Sequence, residues 1–529
     1  MTFKSLSLIY STLSHLKVRQ LYYQVWYRLR KKGRRLFRFR YNLSEYKEGV
    51  ALNLTPFIPK YPSWNRDSFT FIELNSRFTS WNDASNGMLW AYNLNYMDFI
   101  HQEGVSFKDC KEWIDKFINE IHINRVGMDP YPIALRGINW IKFISINAKS
   151  LSETDKKRWN SSLYAQYRVL LDNLEYHLLG NHLLEDAFSL FFAALYFKDK
   201  NLYEVAKMLL HNELSEQVLP DGANYEQSPM YHCILLDRLL DCYNAATNNI
   251  VFDSQLSFND FLKQNASSML GHLASIVYAD HSYPLFNDAA EGIAPLPAQI
   301  FDYAKRLGIE WNKIPMKECG YRKLCDDKFE GIVDVGNITA TYQPGHTHAD
   351  TFNYELKVEG ARFIVDTGIS TYNKTLRRQY ERGTKAHNTV VIGDDNSSQV
   401  WGGFRVGRRA QVCIMKDTFN EVEAVHNGFG NHRKHTRSFV LQHGVFSVKD
   451  MVSCDDDCMS VIHLDPKVQI LSHSLSTVVT SKAIIQIVGA RKIEIVDEKI
   501  SRCYNTFESS QTIYLFFNKH LSYSIMLKH

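Results

Sequence analysis

A chain of 529 residues is long enough for two or three domains, each with its own apolar core. Its composition, 45% hydrophobic and 22% charged, is that of a folded globular protein, and a formal net charge of only +4 excludes a polycation. Nine cysteines at irregular spacings, among them Cys319, Cys325, Cys454 and Cys458, form no zinc-ribbon pattern and read as reduced thiols.

The opening stretch MTFKSLSLIYSTLSHLKVRQ has an apolar run broken by Ser, Thr and His and no small-residue cleavage pattern, so the sequence predicts a cytoplasmic protein without signal peptide or spanning helix. Residues 17–40, KVRQLYYQVWYRLRKKGRRLFRFR, hold ten Lys and Arg interleaved with Leu, Tyr, Trp and Phe. This basic amphipathic segment, within a first region over residues 1–50, suits three roles: a solvated helix packed by its aromatic stripe, a peripheral contact with the inner membrane, or a partner for an acidic polymer. No nucleic-acid recognition motif accompanies the charge. From about residue 85 to 310, apolar residues recur at helical spacing, as in SLFFAALYF (189–197), YHCILLDRLLDCY (231–243) and FLKQNASSMLGHLASIVY (261–278). Turn formers such as PDG (220–222) and NDAAEG (287–292) separate them, which predicts antiparallel helices in a region over 51–320. The texture then changes to alternating runs, GNITATYQ (336–343), ARFIVDTG (361–368), KAHNTVVIG (385–393) and KAIIQIVG (482–489), which read as antiparallel strands in a region over 321–529. The predicted architecture is multidomain α+β, a helical domain followed by an antiparallel β-sandwich, with a cleft between them as the place for a site.

Several stretches carry chemistry. In GHTHADTFNYEL (345–356), His346, His348 and Asp350 would share one face of a strand, and three titratable groups on one face call for water, a metal or a proton-transfer role. In GNHLLEDAFSLF (180–191), Asn181 occupies the place of a helix N-cap, followed by His182, Glu185 and Asp186; a cap and a surface histidine are the plain alternative. In DGANYEQSPMYHCILLDRLL (221–240), Ser228 and Pro229 mark a helix start, and its positive end would lower the phenol pKa of Tyr231. His348, Asp366 and His387 offer two imidazoles and a carboxylate, an acceptable set for zinc. Arg136 and Trp140 in DPYPIALRGINW, Arg377, Arg378 and Arg382 in LRRQYERG, and Arg405, Arg408 and Arg409 in GFRVGRRA suit carboxylates, sulfates and sugar faces, and equally suit ion pairs and core packing.

Taken in this order, GNHLLED, NYEQSPMYH and GHTHADTFNYEL followed by FIVDTG and KAHNTV resemble the heparinase II/III-like family of polysaccharide lyases, which includes alginate lyase relatives and dermatan sulfate epimerases. The resemblance implies an incomplete (α/α) toroid followed by antiparallel β-sheets, acting on a uronic-acid-containing anionic polysaccharide. It implies that Asn181 and His182 neutralise the substrate carboxylate, that Tyr231 and His346 are catalytic, and that His348, Asp366 and His387 hold a structural zinc. Glu185 matches an acidic position used in some members, and Arg136, Trp140, Arg378 and Arg405 are the candidates for further substrate contacts. The implied chemistry is C5 proton abstraction, giving a lyase if the O4 bond breaks and a C5-epimerase if the proton returns from the other face. Degradative members are as a rule exported and lack such a basic aromatic helix, which turns the expectation toward capsule or exopolysaccharide metabolism. A non-catalytic glycan-binding component of polysaccharide assembly is the third possibility, and it has no need of a proton-transfer set.

Overall fold

The computed structural model describes residues 3–528. Helices α1 (Phe3–Leu13) and α2 (Val18–Leu36) open the chain, followed by an extended run and a ribbon of β1 (Phe69–Phe71) and β2 (Leu74–Ser76). The helical body comprises α3 (Met88–Tyr96), α4 (Phe107–Glu120), α5 (Pro130–Ile146), α6 (Glu153–Asp172), α7 (Gly180–Phe197), α8 (Lys200–Gln217), α9 (Pro229–Asn248), α10 (Gln255–Ile276) and α11 (Pro297–Arg306). Local chemistry sets their starts. The side chains of Ser106, Ser152, Asp199 and Ser228 accept free amides of α4, α6, α8 and α9, and prolines occupy the first turns of α5, α9 and α11. α7 is buried from Leu183 to Phe197 without a break and α5 nearly so, which makes them inner helices, whereas α4 buries a single stripe. Among the described residues no helix is long and apolar enough to cross a membrane.

The β region begins with a four-stranded antiparallel sheet, β3 (Tyr321–Cys325), β4 (Phe329–Asp334), β5 (Tyr354–Val358) and β6 (Ala361–Ile364). A short helix α12 (Leu376–Glu381), strand β7 (Val390–Ile392) and a hairpin of β8 (Val400–Trp401) and β9 (Arg405–Val406) follow. The second sheet contains β10 (Val412–Asp417), β11 (Glu421–His426), β12 (His435–Gln442), β13 (Val445–Val452), β14 (Cys458–His463), β15 (Ile470–Ser474), β16 (Thr477–Thr480), β17 (Ala483–Ile500) and β18 (Glu508–Leu527). Its order is β10-β11-β12-β13-β18-β17-β16-β15, with β14 bridging β18 and β7. Phe329 and Leu356 of the small sheet share one apolar core with Phe439, Phe446 and Ile525 of the large one, the packing of a sandwich. Glu355 on β5 accepts from the Leu285 amide at 3.0 Å and the Tyr278 phenol at 3.1 Å, which ties the loop after α10 into the seam between the helical and β regions.

Two segments that alternate like strands are loops. In GNITATYQ, Gln227 replaces a ladder: its Nε2 donates to Asn337 O at 2.9 Å and its Oε1 accepts from the Thr339 amide at 3.1 Å. In GHTHADTF, the His348 amide donates to Asn287 Oδ1 at 2.9 Å and the Ala349 amide to Arg382 O at 2.9 Å. The strand period therefore does not orient His346, His348 and Asp350; β5 begins only at Tyr354.

Candidate active site

Three loops meet in the seam, each with a left-handed residue just before its functional side chains: Leu179 (φ 62°), Gln227 (φ 58°) and Asn287 (φ 57°). Residues other than glycine hold this conformation where the surroundings impose it, a common trait of functional loops. Gly180 also has φ +60°, and a Cβ there would lie 2.8 Å from Tyr225 Oη, so only glycine can open α7. Asn181 is consequently the second residue of α7 and not its cap, which leaves its amide free to face the seam.

Asp288, in the stretch read from sequence only as a turn, organises the site. It is fully buried and accepts from His346 Nδ1 at 2.9 Å, His348 Nε2 at 2.8 Å and Arg378 Nη2 at 2.7 Å. Burial alone would raise its pKa, but Arg378, His346 and His348 outweigh it and hold the carboxyl well below the usual range. With Nδ1 bound to Asp288, His346 turns Nε2 toward Asn181 Nδ2, 3.5 Å away, and Glu226 Oε2, 3.9 Å away. Tyr231 lies against the same imidazole, ring centroids 3.9 Å apart, and its Oη meets Tyr372 Oη at 3.1 Å. Ser228 caps α9 on the Tyr231 amide as the sequence predicts, yet the phenol pKa moves the other way: burial raises it, against the hydrogen bond to Tyr372 and the charge of Arg378. On the far side, His182 Nδ1 meets Glu175 Oε2 at 3.0 Å; burial works against its charged form, but Glu175 outweighs burial and raises the pKa.

The structure brings Asn181, His182, Tyr231 and His346 together and disperses most of the proposed substrate contacts. Arg136 is fully buried, with Nε and Nη2 on Gln166 Oε1 and Nη1 on Asn95 O at 2.9 Å, so it braces the helices. Trp140 is core, its Nε1 directed at Met97 Sδ. Glu185 is 1% exposed beside Arg238, 3.4 Å away, with burial pushing its pKa up to about 7. Arg378 is buried against Asp288 and acts through it, not on substrate. Arg405 is exposed on the β8–β9 hairpin, stacked 4.8 Å over Trp401, and remains accessible to a ligand.

The residues proposed for zinc fit a cation in part. His348 Nδ1, His387 Nε2 and Asp350 Oδ2 are buried and lack hydrogen-bond partners, and the two imidazoles lie 5.3 Å apart. Buried ligand atoms left without partners call for one, such as an ion or an ordered water. Asp366 stands behind His387, its Oδ2 on Nδ1 at 2.7 Å, the place of a carboxylate that orients a ligand histidine. Among the described residues, the three ligand atoms that do lie within 4.8 Å of one another are those of Asp221, His272 and Cys319, where Asp221 already accepts the amides of Lys317 and Cys319 and pins the interdomain linker.

Sequence reasoning missed Asp288, Glu226 and Tyr372. Glu226 stands inside the NYEQSPMYH motif, and an acidic residue five positions before Tyr231 in that motif was the discoverable signal; Asp288 and Tyr372 carry no local pattern.

A toroid of helices joined to a β-sandwich is also the fold of known polysaccharide lyases. The chain superposes on a heparinase III with a TM-score of 0.63 at 17% identity, covering 85% of this chain and 80% of that one. A chondroitin AC lyase from Streptomyces coelicolor, solved with chondroitin sulphate, gives 0.53 at 10% identity over 84% and 74% of the two chains. The chain belongs to the heparinase II/III-like family: the heparinase II/III N-terminus matches residues 135–307 and the heparinase II/III-like C-terminal domain residues 309–523. It is 26% identical over 334 residues to the heparin-sulfate lyase of Pedobacter heparinus, 55% of this chain, and spans about half the length of that relative, 49%.

Proposed function

We propose that the protein is a polysaccharide lyase that removes the C5 proton of a uronic acid residue and expels the 4-O-linked sugar by β-elimination. The relatives named heparin-sulfate lyase support a glycosaminoglycan of that type as substrate. The observation that carries the reading is the Asp288–His346 pair, which leaves Nε2 free beside Asn181 with the Tyr231 phenol stacked on the ring.

Asn181 and His182 would meet the uronate carboxylate, where negative charge grows as the C5–H bond breaks; donors fixed at that point stabilise the enediolate more than the ground state. His346 Nε2 accepts the C5 proton, and Asp288 stabilises the imidazolium, as a carboxylate behind a catalytic histidine does. Burial keeps the Tyr231 phenol protonated, so it is the acid: its proton goes to O4 as the C4–O4 bond breaks and the C4–C5 double bond forms. Passage of the proton from the His346 imidazolium to the Tyr231 phenolate through solvent, once product leaves, then restores both groups. Burial raises the pKa of Glu226 against the pull of His346 and His182, and a neutral Glu226 would not repel the incoming carboxylate. His348 and His387, with Asp350 or Asp366, would hold a zinc ion, which bound there supplies positive charge that fixes the loop carrying His346.

The stacking of Tyr231 on His346 favours elimination over epimerisation, because reprotonation from the opposite face of C5 needs a donor on the other side of the sugar. The test is a panel of uronic-acid polymers, heparan sulfate included, read by the ultraviolet absorbance of unsaturated ends. The parent enzyme is expected to produce them, and Tyr231→Phe to lose about 10²–10⁴ in kcat while retaining binding. No absorbance on any polymer contradicts the proposal.

A further inference from the structure

Helix α2 is apolar on two faces, and the fold uses one. Gln20 Nε2 donates to Leu178 O at 3.0 Å, Tyr23 stacks on Tyr176 with centroids 4.6 Å apart, Tyr27 donates to Leu174 O, and Arg30 and Arg34 pair with Asp172. On the opposite side Val18, Tyr22, Val25 and Leu29 recur at helical spacing with Trp26 beside them, and they are 81, 60, 56, 58 and 45% exposed in that order. Leu36 and Phe37 extend the stripe and are as open, 77 and 81% exposed. Among the described residues nothing covers it. Along its edge Arg28, Lys31, Lys32 and Arg35 are exposed without an ion pair among the described residues, and no Asp or Glu occurs before Glu45.

A helix that is only solvated gains nothing from an open row of Val, Trp and Leu, and a surface for a soluble polyanion needs the cations but not the row. An anionic bilayer uses both: the apolar side chains enter below the headgroups and the cations remain among them. We propose that α2 docks the protein on an anionic membrane surface, with Val18, Tyr22, Val25, Trp26 and Leu29 inserted and Arg28, Lys31, Lys32 and Arg35 on the headgroups. Docking also orients the cleft. The opposite face of α2 grips the loop that leads into Asn181 and His182, and Thr12 of the preceding helix α1 accepts from Trp401 Nε1 on the β8–β9 hairpin at 3.1 Å, so α1 and α2 together touch both walls of the seam.

The test is flotation of the full chain with phosphatidylcholine vesicles, with and without phosphatidylglycerol. The parent protein is expected to float with the anionic vesicles only. Val25→Asp combined with Leu29→Asp should weaken that binding about tenfold or more, since two apolar side chains leave the bilayer. Lys31→Glu combined with Lys32→Glu should remove the preference for anionic lipid. Both variants should keep the parent's thermal midpoint and its turnover of soluble polymer, because these side chains touch neither core nor cleft. Three results overturn the proposal: equal flotation with neutral and anionic vesicles, unchanged flotation of the Val25/Leu29 variant, or a solution dimer that this variant dissolves. Loss of soluble-polyanion binding in that variant, with vesicle binding intact, overturns it as well.

Discussion

Asp288→Asn changes one atom of the site and removes the charge on which His346, His348 and Arg378 converge. Arg378 is as buried as Asp288 itself, so the amide leaves a guanidinium without its counter-ion in the interior. Breaking a buried pair from one side costs about 3–5 kcal/mol, a large part of the stability of a domain. The catalytic loss is separate: an amide cannot hold the His346 imidazolium, and a carboxylate-to-amide change behind a catalytic histidine lowers kcat by roughly 10⁴ where the geometry is preserved. The assay pairs denaturant midpoints from circular dichroism with turnover measured as unsaturated ends. Adding Arg378→Gln to Asp288→Asn should recover most of the stability, because no buried charge is then unpaired, and none of the turnover. A folded Asp288→Asn enzyme with turnover close to the parent's would refute the dyad.

Arg136→Met should destabilise the helical domain by about 1–3 kcal/mol, as the carbonyl and amide groups it satisfies lose their donor, and leave KM for the polymer unchanged. Burial pushes the Glu213 pKa up to about 7, so its contribution to stability is present below the unfolded value of about 4.3 and is lost as pH rises through 7. Glu213→Gln should therefore match the parent most closely in mild acid and exceed it at alkaline pH by up to about 3 kcal/mol in chemical denaturation. Elemental analysis of the purified protein should find zinc that Asp366→Ala reduces and His387→Ala removes, and chelation should lower the thermal midpoint of the parent but not of His387→Ala.

The fold class and family were legible because the chain writes them locally: helical periodicity up to residue 310, then strand texture, with the site residues packed into three short motifs. Asn181, His182, Tyr231 and His346, which the structure brings together, stand in those motifs. Asp288 was not legible, because its meaning lies wholly in partners 58, 60 and 90 residues away along the chain. Arg136 and Trp140 show the reverse error. An arginine and a tryptophan four residues apart look like a polysaccharide contact, but α5 is enclosed on nearly every side, and sequence does not report which helix is innermost. GNITATYQ alternates as strands do, and a single long-range side chain, Gln227, satisfies its backbone instead. The phenol of Tyr231 is shifted upward chiefly by burial, which depends on how much protein covers the ring and is not written in the local sequence.

The most direct measurement follows heparan sulfate digestion in deuterated water by mass spectrometry and proton NMR of both products and uncleaved polymer. With His346 and Tyr231 acting from one side of the sugar, unsaturated ends should accumulate while C5 of the intact chains stays unlabelled. Deuterium at C5 without new unsaturated ends would contradict the account.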